Sequence, residues 1–154
     1  MARNPGWKKL ISSGSVGRSL SLDGLRRKLT KGLEVRVEHP AARRGDALQA
    51  VVVITDPEGL GDLEVGIVCT ESYDEVVNDS DGGTSRTTST AIEHEAWQPL
   101  ASVPGEHDVT LSVPHGAPYS YEGDCLSFRW EVVARGRKSR ALDARASEPI
   151  MVRP

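Results

Sequence analysis

The fold class that this sequence predicts is all-β: an antiparallel β-sandwich behind a basic N-terminal arm. Three observations carry it. From Leu33 onward, apolar residues recur at every second position. The alternating runs are short, and clusters of Gly, Pro, Asp and Asn separate them. Residues 1–31 follow neither rule and keep a charge balance of their own. A chain of 154 residues suits one domain, and 38% hydrophobic with 27% charged residues is the composition of a globular protein.

The arm comes first. It carries Arg3, Lys8, Lys9, Arg18, Arg26, Arg27, Lys28 and Lys31 against Asp23 alone, a net +7. The remaining 11 basic and 21 acidic residues leave the body at −10, so the overall charge of −3 conceals a sharp division. Lys8, Lys9, Arg26, Arg27, Lys28 and Lys31 are the candidate contacts for an acidic partner. An anionic membrane, a nucleic acid and the chain's own acidic body all remain open. Leu22, Leu25 and Leu29 fall at helical spacing between Ser21, a possible N-cap, and Gly32, a possible stop. Gly24 weakens that helix, so a short amphipathic helix and a coil are both consistent with the residues. Lys8 and Lys9 precede only Leu10 and Ile11, which is no signal-peptide core, and the longest apolar run, Ala50 to Ile54, cannot span a bilayer. A cytoplasmic location is the resulting expectation. The predicted division is an arm over 1–31 and a sandwich over 32–154.

Leu33, Val35 and Val37 alternate with Glu34, Arg36 and Glu38, a strand with one buried and one wet face. A turn at Arg44-Gly45-Asp46 leads into Leu48, Ala50, Val52 and Ile54. Asp56-Pro57-Glu58-Gly59 makes the next turn, because Pro fixes φ and Gly permits φ > 0. Leu63, Val65, Ile67 and Cys69 share a face, and the strand is expected to run on to Val77. Asn78 to Gly83 closes a long hairpin whose return spans about Thr87 to Trp97. Val109, Leu111 and Val113 form a further strand. Leu126, Phe128, Trp130, Val132 and Ala134 form another, and short pieces near Ala141-Leu142 and Ile150–Val152 end the chain. Seven or eight short strands result.

Chemistry-bearing motifs are sparse. Cys69, Trp97 and Cys125 stand in the order of an immunoglobulin-like domain, but the tryptophan lies too far from the first cysteine. The two thiols also differ in phase. Cys69 follows the core face of its strand, whereas Cys125 is out of step with Leu126, Phe128 and Trp130. Two free thiols are expected rather than a disulfide. The acidic loop Asn78 to Thr84 suggests calcium, yet aligning Gly82 with the glycine of an EF-hand puts Val77 and Thr88 at ligand positions, which fails. His39, His94, His107 and His115 have no metal-binding spacing, and no nucleophile elbow or phosphate-cradling glycine loop is present. The residues therefore predict neither an enzyme, nor a cofactor, nor a small-molecule substrate. A carbohydrate-binding sandwich would need exposed aromatics, and Tyr73, Tyr119 and Tyr121 are the candidates.

The stretch from Val113 to Ala134 carries a resemblance. Pro114, Ala117, Pro118, Ser120, Tyr121 and Gly123 precede a strand with Trp130, Val132 and Ala134. Upstream stand Leu33, Val35 and Val37, then Arg44-Gly45-Asp46 with Leu48, Ala50 and Val52. Between them lie a threonine-rich hairpin return and Trp97-Gln98-Pro99-Leu100. The pattern resembles the arrestin-like superfamily, which includes arrestins, the arrestin-like subunit of retromer and bacterial sporulation-control proteins. Arg44 stands where the family usually has proline. The resemblance covers about residues 32–153 and implies a single arrestin-like, immunoglobulin-like sandwich. Pro114, Pro118, Tyr121, Gly123 and Trp130 would be structural, the prolines stiffening a crossing between sheets and Gly123 letting the chain turn. The implied function is that of an adaptor or scaffold, which binds a protein partner through a sheet edge and loops, or pairs with itself.

Overall fold

The structure, a computed structural model, describes residues 32–78, 80–137 and 144–154. Nine strands follow one another: β1 (Leu33–Arg36), β2 (Ala41–Arg43), β3 (Ala47–Ile54), β4 (Asp62–Asn78), β5 (Thr84–Leu100), β6 (Gly105–Ser112), β7 (Tyr121–Glu122), β8 (Leu126–Arg137) and β9 (Ala144–Arg153). They form two sheets. The smaller has the order β1-β3-β6, and the larger has the order β2-β9-β8-β4-β5, with β7 added against β8. All pairings are antiparallel except β2 with β9. The two sheets close face to face over one core, as the period-two pattern requires.

The alternating runs deliver most of their predicted faces; at the start of β8, however, Leu126 is only half-buried and Ser127, expected on the wet side, is buried. Leu48, Ala50, Val52 and Ile54 from β3 meet Leu63, Val65, Ile67 and Cys69 from β4, and Trp130, Val132 and Ala134 from β8. Val109 and Leu111 from β6 and Val113 just beyond it complete the opposite wall. Trp130 is the largest fully buried side chain, and its indole N–H donates to the Pro118 carbonyl at 3.1 Å, so its one polar atom is satisfied. Gly45 and Gly59 have positive φ, as their turns demand.

Four expectations need correction. The return strand β5 begins at Thr84 and ends at Leu100, longer at both ends than its sequence suggested, because β4 offers it a continuous partner. The chain end is one ten-residue strand, β9, paired along β8, rather than a short piece at Ile150–Val152. Parallel β2 and the two-residue β7 carry no alternation long enough to be legible. Gly123 has no positive φ; what crowds it is the far end of the exposed Tyr121 side chain, whose hydroxyl would stand 2.5 Å from a Cβ and is free to shift. Ala141-Leu142 and residues 1–31, including the Leu22–Leu29 spacing, lie outside the described residues.

Candidate functional site

The motif residues of the 113–134 stretch converge on the crossing from the smaller to the larger sheet. Val113 exchanges backbone hydrogen bonds with the β2–β3 turn, accepting from Gly45 N at 2.7 Å and donating to Asp46 O at 3.0 Å. Pro114 O accepts from Ala117 N at 3.3 Å, which fixes the tight loop between the prolines. Arg44 lies 3.9 Å over the Tyr119 ring and donates to the Ala117 carbonyl and the Tyr119 hydroxyl. It clamps the turn to the crossing by its side chain, where proline would act by rigidity. The next residue, Gly45, packs under His115, where a Cβ would collide with the imidazole ring. Ser120 ties the crossing to β9, donating from its N to Val152 O at 2.9 Å and accepting from Val152 N at 2.8 Å. Pro114, Pro118, Gly123 and Trp130 thus stand in structural contacts, while Tyr121 is 54% exposed. Lys8, Lys9, Arg26, Arg27, Lys28 and Lys31 lie outside the described residues.

Among the described residues, β5 is a terminal strand of the larger sheet, paired with β4 alone. In an antiparallel pair, alternate residues turn both backbone groups away from the partner, so β5 presents a row of N–H and C=O groups outward. The register shifts between Cys69 and Thr70, where Cys69 pairs His94 and Thr70 pairs Ile92. Glu93 is therefore the extra residue of a β-bulge. Its two sides differ. Glu95, Trp97 and Pro99 lie C-terminal to it, whereas Thr84–Ile92 reads TSRTTSTAI, with Arg86 its one charge and no Pro or Gly. No run of alternating apolar residues marks this segment, because neither face of it is buried. The signal that could have found it is the scarcity of charge, proline and glycine in an exposed strand.

A second feature that the sequence did not disclose covers the outer face of β4 and β8. Val68 and Val133 are buried, yet neither belongs to the core between the sheets. Trp97 packs across Gly66 on the neighbouring strand, so closely that a Cβ on Gly66 would stand 2.7 Å from the indole. Arg135 stacks 3.6 Å over the indole and pairs with Glu64 at 2.5 Å. Trp97 also donates to Glu95 at 3.1 Å.

The cysteines fall as their phases require: both are free, Cys69 buried and Cys125 exposed. Burial raises the Cys69 pKa from 9.0 to about 11, helped by the carboxylates of Glu93 and Glu71. Without reductant, a thiol reagent is expected to label one sulfhydryl quickly in the native protein and two after unfolding. Labelling of neither after unfolding would reveal a disulfide. The unfolded Cys69 thiol ionises near pH 9, while the folded one keeps its proton until about pH 11. The folded state then holds more protons, and stability should fall across that window by roughly 2 kcal/mol. Cys69→Ala should remove this part of the slope; urea titrations showing an identical slope in both proteins would refute the assignment.

Cys125 borders an open polar cleft of about 220 Å³, lined also by Asp74, Thr88, Asp124, Ser127 and Arg129. Among the described residues, no three His, Cys, Asp or Glu side chains gather to hold a metal ion, and no helix is long and apolar enough to cross a membrane.

No family model and no curated protein matches the sequence. Among solved structures, the chain is similar to Spo0M, the sporulation control protein of Bacillus subtilis. The TM-score is 0.52 at 15% sequence identity, over 79% of this chain and 49% of that one. The sandwich has the arrestin-like fold. At 15% identity the likeness is one of fold, and the chain spans about half the length of the structure it matches. The arrestin-like sandwich agrees with the two stretches that carried the resemblance, since their residues build the first strands, the crossing and the central strand β8.

Proposed function

We propose that this chain is a non-enzymatic adaptor or scaffold module that binds a protein partner by its sheet edge and adjoining loops. One observation carries the reading: β5 is a 17-residue edge strand whose outward backbone groups have no strand beside them among the described residues. An extended segment of a partner gains main-chain hydrogen bonds there, and side-chain pairing along the edge supplies selectivity. The fold supports the same reading, as a rigid two-sheet frame that leaves a long edge free for pairing.

Affinity capture from the source cell, with the intact protein and with Thr87→Lys/Thr90→Lys, tests it. Both threonines are exposed, so the variant should keep its melting temperature, and edge lysines oppose strand addition. Loss of the captured protein with the variant is the expected result; unchanged capture would overturn the reading.

The charge division favours a second reading, in which the basic arm directs the protein to an anionic membrane or a nucleic acid. Each Lys or Arg near an anionic surface contributes about 1 kcal/mol, and such binding weakens steeply with salt. Binding of the full chain to anionic vesicles or duplex DNA should then disappear when Lys8, Lys9, Arg26, Arg27, Lys28 and Lys31 are changed to Gln. If the intact protein ignores vesicles and DNA alike at low salt, this second reading fails.

A further inference from the structure

We infer that the β5 edge pairs with the β5 edge of a second copy of this chain, antiparallel and centred on Ser89, to join two larger sheets into one. The inference rests on the edge-binding reading above and names its occupant. Among the described strands, the other sheet edges are poorer docking rows. β1 and β2 have four and three residues, and β6 carries Glu106 and Asp108 within eight. Only β5 combines length with a nearly uncharged run, Thr84–Ile92, rich in β-branched residues.

That run also lacks support from its own molecule. β8 pairs with β4 only as far as Tyr73, so Asp74–Asn78 and Thr84–Thr88 continue as a two-stranded ribbon. Val76 on this ribbon is 66% exposed, and Ile92 nearby on β5 is 57% exposed. A two-stranded ribbon is marginal in water, and a third strand stabilises it.

Charge complementarity favours a second copy as the occupant and excludes some registers. A pairing centred on Ser89 sets Thr88 opposite Thr90, Thr87 opposite Ala91, and Arg86 opposite Ile92 with the bulged Glu93 beside it. Directly opposed residues in that register lie on the same face of the joined sheet, as an antiparallel ladder requires. By two-fold symmetry the Arg86–Glu93 approach occurs twice, and the Arg86 stem covers Ile92 of the other copy. Sliding the centre toward Arg86 opposes two guanidinium groups, and sliding it toward His94 opposes Glu93 and Glu95. The register centred on Ser89 avoids both oppositions and keeps Arg86 beside Glu93.

Sedimentation equilibrium of the full chain, across micromolar to submillimolar concentration, tests this with two exposed substitutions. The intact chain should form a dimer. Arg86→Glu alone and Glu93→Arg alone each set like charges together twice, and each should weaken the dimer by roughly tenfold. An equimolar mixture of the two variants should recover the lost association, because each then meets an opposite charge; circular dichroism and melting temperature confirm that both are folded. A monomeric intact chain, a dimer indifferent to both substitutions, or a mixture that fails to recover would overturn the inference. In any of these cases, partner capture that is still lost with Thr87→Lys/Thr90→Lys shows that the edge-binding reading stands; retained capture sinks both.

Discussion

Trp130→Ala should destabilise the protein by about 3–5 kcal/mol, the range for deleting a large core aromatic. Trp130 is 1% exposed and stands on β8, the strand that both β4 and β9 pair along. Its indole fills the inner face beside Cys69, with His94 5.8 Å away between ring centres. Truncation would leave a cavity and strand the Pro118 carbonyl that accepts the indole N–H. Against a total of roughly 5–15 kcal/mol, such a loss can unfold the sandwich. Urea denaturation measures it. Trp130→Phe should cost less than Trp130→Ala because it keeps most of the volume, and an unchanged midpoint for Trp130→Ala would remove Trp130 from the core.

Gly66→Ala should cost about 1–3 kcal/mol by overpacking, although it adds only a methyl group. Gly66 lies mid-strand in β4 between β5 and β8, so its backbone has little freedom to retreat. A Cβ would stand 2.3 Å from the Ala96 carbonyl and under 3 Å from the Trp97 indole. Relief of the second collision requires Trp97 to lift from the sheet, which parts it from Arg135. A double-mutant cycle separates the two collisions. If the indole is the main obstacle, Gly66→Ala should cost less in a Trp97→Ala background. Equal costs in both backgrounds would assign the whole penalty to the Ala96 carbonyl.

The inner face was legible because burial on one side of a strand writes a period of two into the chain. Leu48, Ala50, Val52 and Ile54 are an example, and the phase of Cys69 against Cys125 followed from the same rule. Partial patterns misled where local chemistry admits two causes. Gly123 looked like a turn glycine, yet its φ is not positive and only the far end of the exposed Tyr121 side chain lies close to it. The Trp97–Gly66–Arg135 stack was not legible, because it joins three strands whose order no local pattern encodes. The same holds for the openness of β5. Which strand ends a sheet is decided by the whole pairing scheme, and Thr84–Ile92 carries only the faint mark of a run without apolar alternation, proline or glycine. The basic arm stood out by charge alone, a property that speaks to partners and not to folding.

Residue-resolved amide hydrogen exchange along β5, followed as protein concentration rises, tests the edge-binding account most directly. At low concentration, alternate amides from Ser85 to Ile92 should exchange quickly, since every second N–H points away from β4, while their neighbours are protected. At high concentration, or with a bound partner segment, the fast set should become protected and the β1 and β6 edges should not change. Fast exchange that persists on β5 under every condition, with protection arising elsewhere, would contradict the account.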